Sequence, residues 1–243
     1  MNSLDQNLID AARAADADAM KALIAQGAEL SARDSFGRTS LHYAASNSNL
    51  ETLSMLIAAG DDIESKDGAG ATPLHRAAEW GTIEAVMLLL GHGADINQSN
   101  FRGYTALHRA TERSATVIAL ALIEAGADVN VGTDEGYTPL HLSLSGVGSD
   151  VMDALLMAGA NVNALDQNHR SALHRAAFIG QLKSISVLMV AGAEVKSVDK
   201  QGRTAIELAL LFNEGDAVAL IQAHVAAKAI EDILQPVHAI RFA

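Results

Sequence analysis

The chain has no cysteine, only three prolines, and few aromatic residues, which occupy 4% of its 243 positions. The missing cysteine excludes disulfides and thiol chemistry but leaves the compartment open. So few aromatics require a core of Ala, Leu, Ile, Val and Met, a set that suits closely packed helices. Long apolar runs are missing too: stretches such as 85–90 fall far short of the roughly 20 residues that a membrane span needs. No basic and apolar leader follows Met1, so no cleavable signal is visible and a soluble cytoplasmic protein is the simplest expectation. The net charge of −12 disfavours general nucleic-acid or anionic-membrane binding. With 49% hydrophobic residues the chain can bury a real core and is not disordered.

What is present is a repeat. Thr39-Ser40-Leu41-His42 recurs as Thr72-Pro73-Leu74-His75, Thr105-Ala106-Leu107-His108, Thr138-Pro139-Leu140-His141 and Ser171-Ala172-Leu173-His174, and ends as Thr204-Ala205-Ile206-Glu207. Every step is 33 residues. A second marker keeps the same step: Gly27-Ala28, Gly60-Asp61, Gly93-Ala94, Gly126-Ala127, Gly159-Ala160 and Gly192-Ala193. Each Thr or Ser reads as a helix N-cap, and Pro73 and Pro139 stand at the first helical position, where a missing N–H costs nothing. A first helix with paired alanines (Ala44-Ala45, Ala77-Ala78, Ala176-Ala177) leads through a turn to a more apolar second helix. The marker Gly then ends that helix. An Asp-x-x-Gly stretch supplies hairpin-turn chemistry before the next cap.

These landmarks resemble the ankyrin-repeat consensus, over about residues 1–224. The resemblance implies an all-α solenoid with short hairpin fingers, built from about seven stacked 33-residue helix-turn-helix units. The expected layout is a single domain, 1–243, with a capping unit at 1–32, five full units at 33–198, a C-terminal cap at 199–235 and a tail at 236–243. The last helix is expected to run to about Gln235 and stop at Pro236. His169 stands where the other fingers carry Gly. Ser48, Ser114, Val147 and Asn213 replace the inter-helix glycines (Gly81, Gly180). Thr116 and Ser149 replace an apolar anchor, so stacking is expected to be weakest near residues 111–150.

The five motif histidines tempt a metal assignment. Equivalent positions in adjacent units lie about 9–10 Å apart, whereas zinc needs its ligands about 2 Å from one centre. In the family this His ties its own cap to the neighbouring backbone. Phosphate-loop and nucleophile-elbow patterns are missing, and equal units provide no long insertion to gather a catalytic group. No enzyme activity, metal or cofactor is expected. Some family members are hydroxylated at the positions of Asn97, Asn130 and Asn163; loop hydrogen bonding is the simpler role.

The family contacts partners through finger tips and the exposed side of the first helices. By register, those positions here hold Phe36, Arg38, Tyr43, Arg76, Trp80, Phe101, Arg102, Tyr104, Arg109, Arg113, Tyr137, Arg170, Arg175 and Phe178. Eight of the nine aromatic residues fall on or beside these rows, and the basic residues cluster there as well. Exposed Trp, Tyr and Arg dominate interface energetics. The expectation is a monomeric, non-catalytic scaffold that holds a protein partner with acidic and apolar groups on a basic, aromatic concave face, densest from Arg76 to Tyr137. Two other readings remain: a phosphate-bearing ligand or nucleic acid along the Arg rows, and self-association through the extended last helix.

Overall fold

The computed structural model describes residues 2–47, 49–145 and 150–240. The chain divides into two compact units, Met1–Asp134 and Glu135–Ala243. The first holds the helix pairs α1 (Ser3–Ala14) and α2 (Ala17–Ala25), α3 (Ser40–Ser46) and α4 (Leu50–Ala58), α5 (Pro73–Trp80) and α6 (Ile83–Gly91), and α7 (Ala106–Glu112) and α8 (Thr116–Glu124). The second holds α9 (Pro139–Leu142), which continues as a 3-10 turn (Ser143–Ser145), with α10 (Asp150–Met157), then α11 (Ala172–Phe178) with α12 (Leu182–Val190), and α13 (Ala205–Leu211) with α14 (Gly215–Ile240). No strand occurs among the described residues. Within each unit the first helices pack side by side, as in an all-α solenoid.

Small side chains make that packing possible. Ala44, Ala45, Ala77, Ala78, Ala110, Ala176 and Ala177 are fully buried, and Leu41, Leu53, Leu56, Leu89, Leu107, Leu122, Leu173 and Leu188 fill the space between helices. Each buried Leu contributes roughly 1.5–3 kcal/mol of transfer free energy.

Every first helix from α3 to α13 opens on a reciprocal cap. The Thr39 N–H donates to His42 Nδ1 at 3.2 Å, and Thr39 Oγ1 lies 2.9 Å from the same nitrogen. His42 Nδ1 therefore accepts, and Nε2 carries the proton. It donates that proton to the carbonyl of Ala71, in the next hairpin, at 2.9 Å. His75 does the same to Tyr104 (2.8 Å) and His141 to Arg170 (3.0 Å). At Thr204 a glutamate performs the capping half alone, Glu207 accepting from the Thr204 N–H at 2.7 Å. Burial pushes the His42 and His75 imidazoles down to about 4, and it lowers His141 and His174 as well. All four are neutral structural groups at pH 7.

The second helices end as the glycines require. Gly60 has φ +86°, its N–H bonds Ile57 O at 3.0 Å, and the Asp61 N–H bonds Leu56 O at 3.1 Å. The fingers are turns closed by two backbone bonds, such as Asp67 N–H to Ala71 O and Gly70 N–H to Asp67 O, both at 2.9 Å, with Asp67 Oδ1 accepting the Ala69 and Ala71 N–H groups. Neighbouring fingers join through the main chain: Gly68 N–H to Phe36 O (2.8 Å) and Phe101 N–H to Ala69 O (3.1 Å) in the first unit, Gln167 N–H to Glu135 O (2.8 Å) and Lys200 N–H to Asn168 O (2.9 Å) in the second. Loop acceptors add a further link: Asn97 Oδ1 takes the Asp128 N–H at 2.9 Å and Asn163 Oδ1 takes the Glu194 N–H at 2.8 Å. Both asparagines thus take the loop hydrogen-bonding role expected of them.

One departure from expectation and two local adjustments stand out. The last helix runs through Pro236 to Ile240 rather than stopping near Gln235; a proline deletes one donor, and the hydrogen bonds around it can still carry the helix. His169 takes the left-handed conformation of the glycine it replaces, with φ +57°, which costs roughly 1 kcal/mol. Helix α9 is short because Ser143 and Leu144 replace the paired alanines. Ser143 Oγ donates to Leu140 O at 2.8 Å, an i−3 bond that favours the tighter turn. The expectations for Ser48, Val147 and Ser149 fall outside the described residues.

Candidate functional site

In the first unit the finger tips Phe36 and Phe101 are 66% and 67% exposed, and Trp80, at the end of α5, is 55% exposed. Trp80 is covered on one face. The Arg113 guanidinium lies 3.6 Å from its ring centroid, a cation–π stack. Arg113 is held there by Glu79 Oε1 at 3.1 Å, and the other Glu79 oxygen accepts from Arg76 at 2.9 Å. Arg76 also donates two hydrogen bonds to Asp67, and Arg38 Nε lies 3.8 Å from the same carboxylate. Arg38, Asp67, Arg76, Glu79, Arg113 and Trp80 thus form one chain of alternating charge that ends on an exposed indole. Burial alone would raise the Asp67 pKa; the Arg76 hydrogen bonds and the two backbone N–H groups outweigh it and hold the carboxyl below its ordinary value.

The remaining residues of this unit are braced similarly. Tyr43 donates to Asp34 Oδ2 at 2.6 Å, and the Arg13 guanidinium lies 4.6 Å from its ring centroid. Arg109 lies 4.3 Å from the Tyr104 ring centroid and pairs with Glu112 at 2.8 Å; Arg102 approaches the same ring at 5.7 Å.

The structure makes two corrections. Tyr104 is not an exposed contact: only 7% of it is accessible, because Arg102 and Arg109 lie over its ring. Nor is the first unit's row freely basic, since Arg38, Arg76, Arg109 and Arg113 each have a carboxylate within 4 Å. Two further residues, Arg13 and Glu79, join these networks. Neither belongs to the rows that register picks out, and Glu79 links Arg76 to Arg113. A signal for it exists, since Glu79 stands three residues after Arg76 on one helix face.

The second unit is built differently. Arg170 and Arg203 share the buried Asp199, at 3.4 and 2.8 Å. Arg175 lies 4.8 Å from the Tyr137 ring centroid. Phe178 packs edge-on against Phe212 with centroids 4.3 Å apart, and both rings, with Ile179, remain partly exposed. Tyr137, Arg175, Phe178, Ile179 and Leu208 line a cavity of about 220 Å³.

Among the described residues no cluster of three or more His, Asp or Glu side chains could hold a metal ion, and no helix is long and apolar enough to cross a membrane. A comparison with curated proteins finds no match. The family model for ankyrin repeats (3 copies) matches residues 8–100, 98–166 and 145–232. With matched caps, marker glycines and histidine ties accounting for nearly the whole length, the chain belongs to the ankyrin-repeat family.

Proposed function

We propose that this protein is a non-catalytic scaffold that holds a partner protein against the face made by its fingers and first helices. We also read its helix pairs as seven repeats, the outer two serving as caps. The observation that carries the binding reading is Trp80. A large indole left half exposed costs solubility, yet here Arg113 and Glu79 fix it in one orientation. An aromatic anchor fixed before binding loses little entropy on contact, which is the property of an interface hot spot. Phe36 and Phe101 would supply apolar contacts on the fingers. Arg38, Arg76, Arg102, Arg109 and Arg113 would supply donors, each already oriented by an acid or a ring. Such compensated charges favour a partner with both acidic and apolar groups over a polyanion, which would need uncompensated positive charge along the row.

The test begins with crosslinking and affinity capture by the full chain to identify a partner, followed by titration of the purified pair. Trp80→Ala and Arg113→Ala should each weaken binding at least about tenfold, with the thermal midpoint shifted by no more than about 2 °C. Undiminished binding, or an equal loss of stability, would sink the reading.

A further inference from the structure

The two units treat one repeat position in opposite ways. Arg76 and Arg175 occupy equivalent places, each nine residues after the turn aspartate of its own finger, Asp67 and Asp166. Arg76 reaches back to Asp67 and also pairs with Glu79 three residues on. Arg175 does neither. Phe178 stands where Glu79 would be, and no carboxylate pairs with Arg175 among the described residues. Its guanidinium lies over the Tyr137 ring instead, beside the 220 Å³ cavity. Asp166 is occupied by its own turn, accepting the Asn168 and Arg170 N–H groups at 2.7 and 2.9 Å. Asp199 already serves both Arg170 and Arg203.

The cavity wall, which also includes Asp166 and Arg170, combines the Arg175 cation with exposed apolar surface. Phe178 and Ile179 are 39% and 44% accessible, with Leu208 buried behind them. His174 also lines the cavity, and its buried Nε2 makes no hydrogen bond. The space is below the 300–1,000 Å³ typical of cofactor and drug-sized ligands, but it would accept one aliphatic side chain. A guanidinium at its rim, oriented by an aromatic face, is matched by a carboxylate.

Building on the partner-protein reading above, we infer that the second unit contains a separate anchor site for an acidic–apolar peptide segment. Its aliphatic side chain enters the cavity between Phe178, Ile179 and Leu208. A carboxylate next to it in sequence pairs with Arg175. The site works without Trp80 and supplies the partner with a second point of attachment.

The test uses the full chain and three fluorescein-labelled hexapeptides read by anisotropy: Ser-Glu-Leu-Asp-Glu-Ser, Ser-Lys-Leu-Lys-Lys-Ser and Ser-Glu-Gly-Asp-Glu-Ser. The first should bind at least about tenfold tighter than either of the others. Arg175→Gln should weaken it about fivefold or more, and Ile179→Ser should weaken it too, with thermal midpoints unchanged. Trp80→Ala should bind it like the wild type. Equal binding of the three peptides, no saturable binding, or displacement by inorganic phosphate would overturn the inference. Loss of binding in Trp80→Ala with Arg175→Gln unaffected would move the peptide to the first unit, overturning the anchor site while leaving the protein-binding reading in place.

Discussion

The first unit sets Arg38, Arg76, Arg109 and Arg113 against carboxylates, and the second leaves Arg175 without one among the described residues, beside partly exposed aromatic surface. In the first, Asp67 and Glu79 each bind two arginines, so the exposed Trp80 sits at the end of a braced network. In the second, Phe178 replaces the equivalent glutamate, and the surface becomes apolar with a cation at its edge. One substitution in a repeated position therefore separates a patch whose arginines are paired with carboxylates from one whose arginine lies against an aromatic ring. Identical backbones can thus carry different recognition chemistry, and a repeat's consensus says little about its surface.

Acid should give the largest effect. His42 and His75 lie at about 4 in the folded first unit and near 6.5 in an unfolded chain. Protons then favour the unfolded state, so stability is complete above pH 6.5 and falls as pH drops toward 4. Each histidine should contribute on the order of 3 kcal/mol to that loss. Hydrogen exchange followed segment by segment between pH 7 and 4.5 checks it; flat protection around α3 and α5 would refute it.

The ion-pair contrast comes next. Asp67→Ala removes the acid that holds Arg76 and should cost about 3 kcal/mol. Asp166→Ala removes only the turn bonds and should cost about 1 kcal/mol. Urea titration of both variants decides the matter, and equal costs would erase the difference drawn between the units.

Asp61 gives a smaller effect of opposite sign. It stands where Ala28, Ala94 and Ala127 are buried, one of its oxygens has no hydrogen bond, and burial raises its pKa to about 7 despite the nearby Arg33. Its folded pKa exceeds the unfolded value, so its contribution is lost as pH rises from about 4 to about 7. Asp61→Ala should therefore stabilise the protein by about 2 kcal/mol at pH 8 and much less at pH 5. The smallest effect belongs to the second unit: His169→Gly should gain about 1 kcal/mol by relieving the positive φ that Gly37, Gly70 and Gly103 adopt freely in the first. A melting curve that does not move would show that the imidazole compensates its own strain.

Much of this fold was legible because repetition multiplies weak signals. One Thr-x-x-His is ambiguous; several at constant spacing, each with a marker Gly downstream, leave little choice of helix boundaries. The site was legible in register only. Helical spacing put Trp80 and Arg113 on one face, but whether an arginine stacks, pairs or stays unpaired depends on its third neighbour and on which acids are already engaged. Tyr104 shows the limit: its position predicts exposure, and two flanking guanidinium groups remove it. Pro236 shows another, since local preference gave a stop that the helix does not obey.

The histidine and finger joints between adjacent hairpins end on main-chain atoms. His42 meets the carbonyl of Ala71 and His75 that of Tyr104, while finger N–H groups meet finger carbonyls. A peptide group has the same shape whichever residue carries it. Cutting out residues 72–104 would join Ala71 to Thr105, leave His42 on its own carbonyl, and bring the Asp134 N–H to the position opposite Ala69 O. Length in this architecture is thus an adjustable quantity: the coupling hardware is generic, and selection is free to rewrite the exposed lettering or change the number of lines without retooling the hinges.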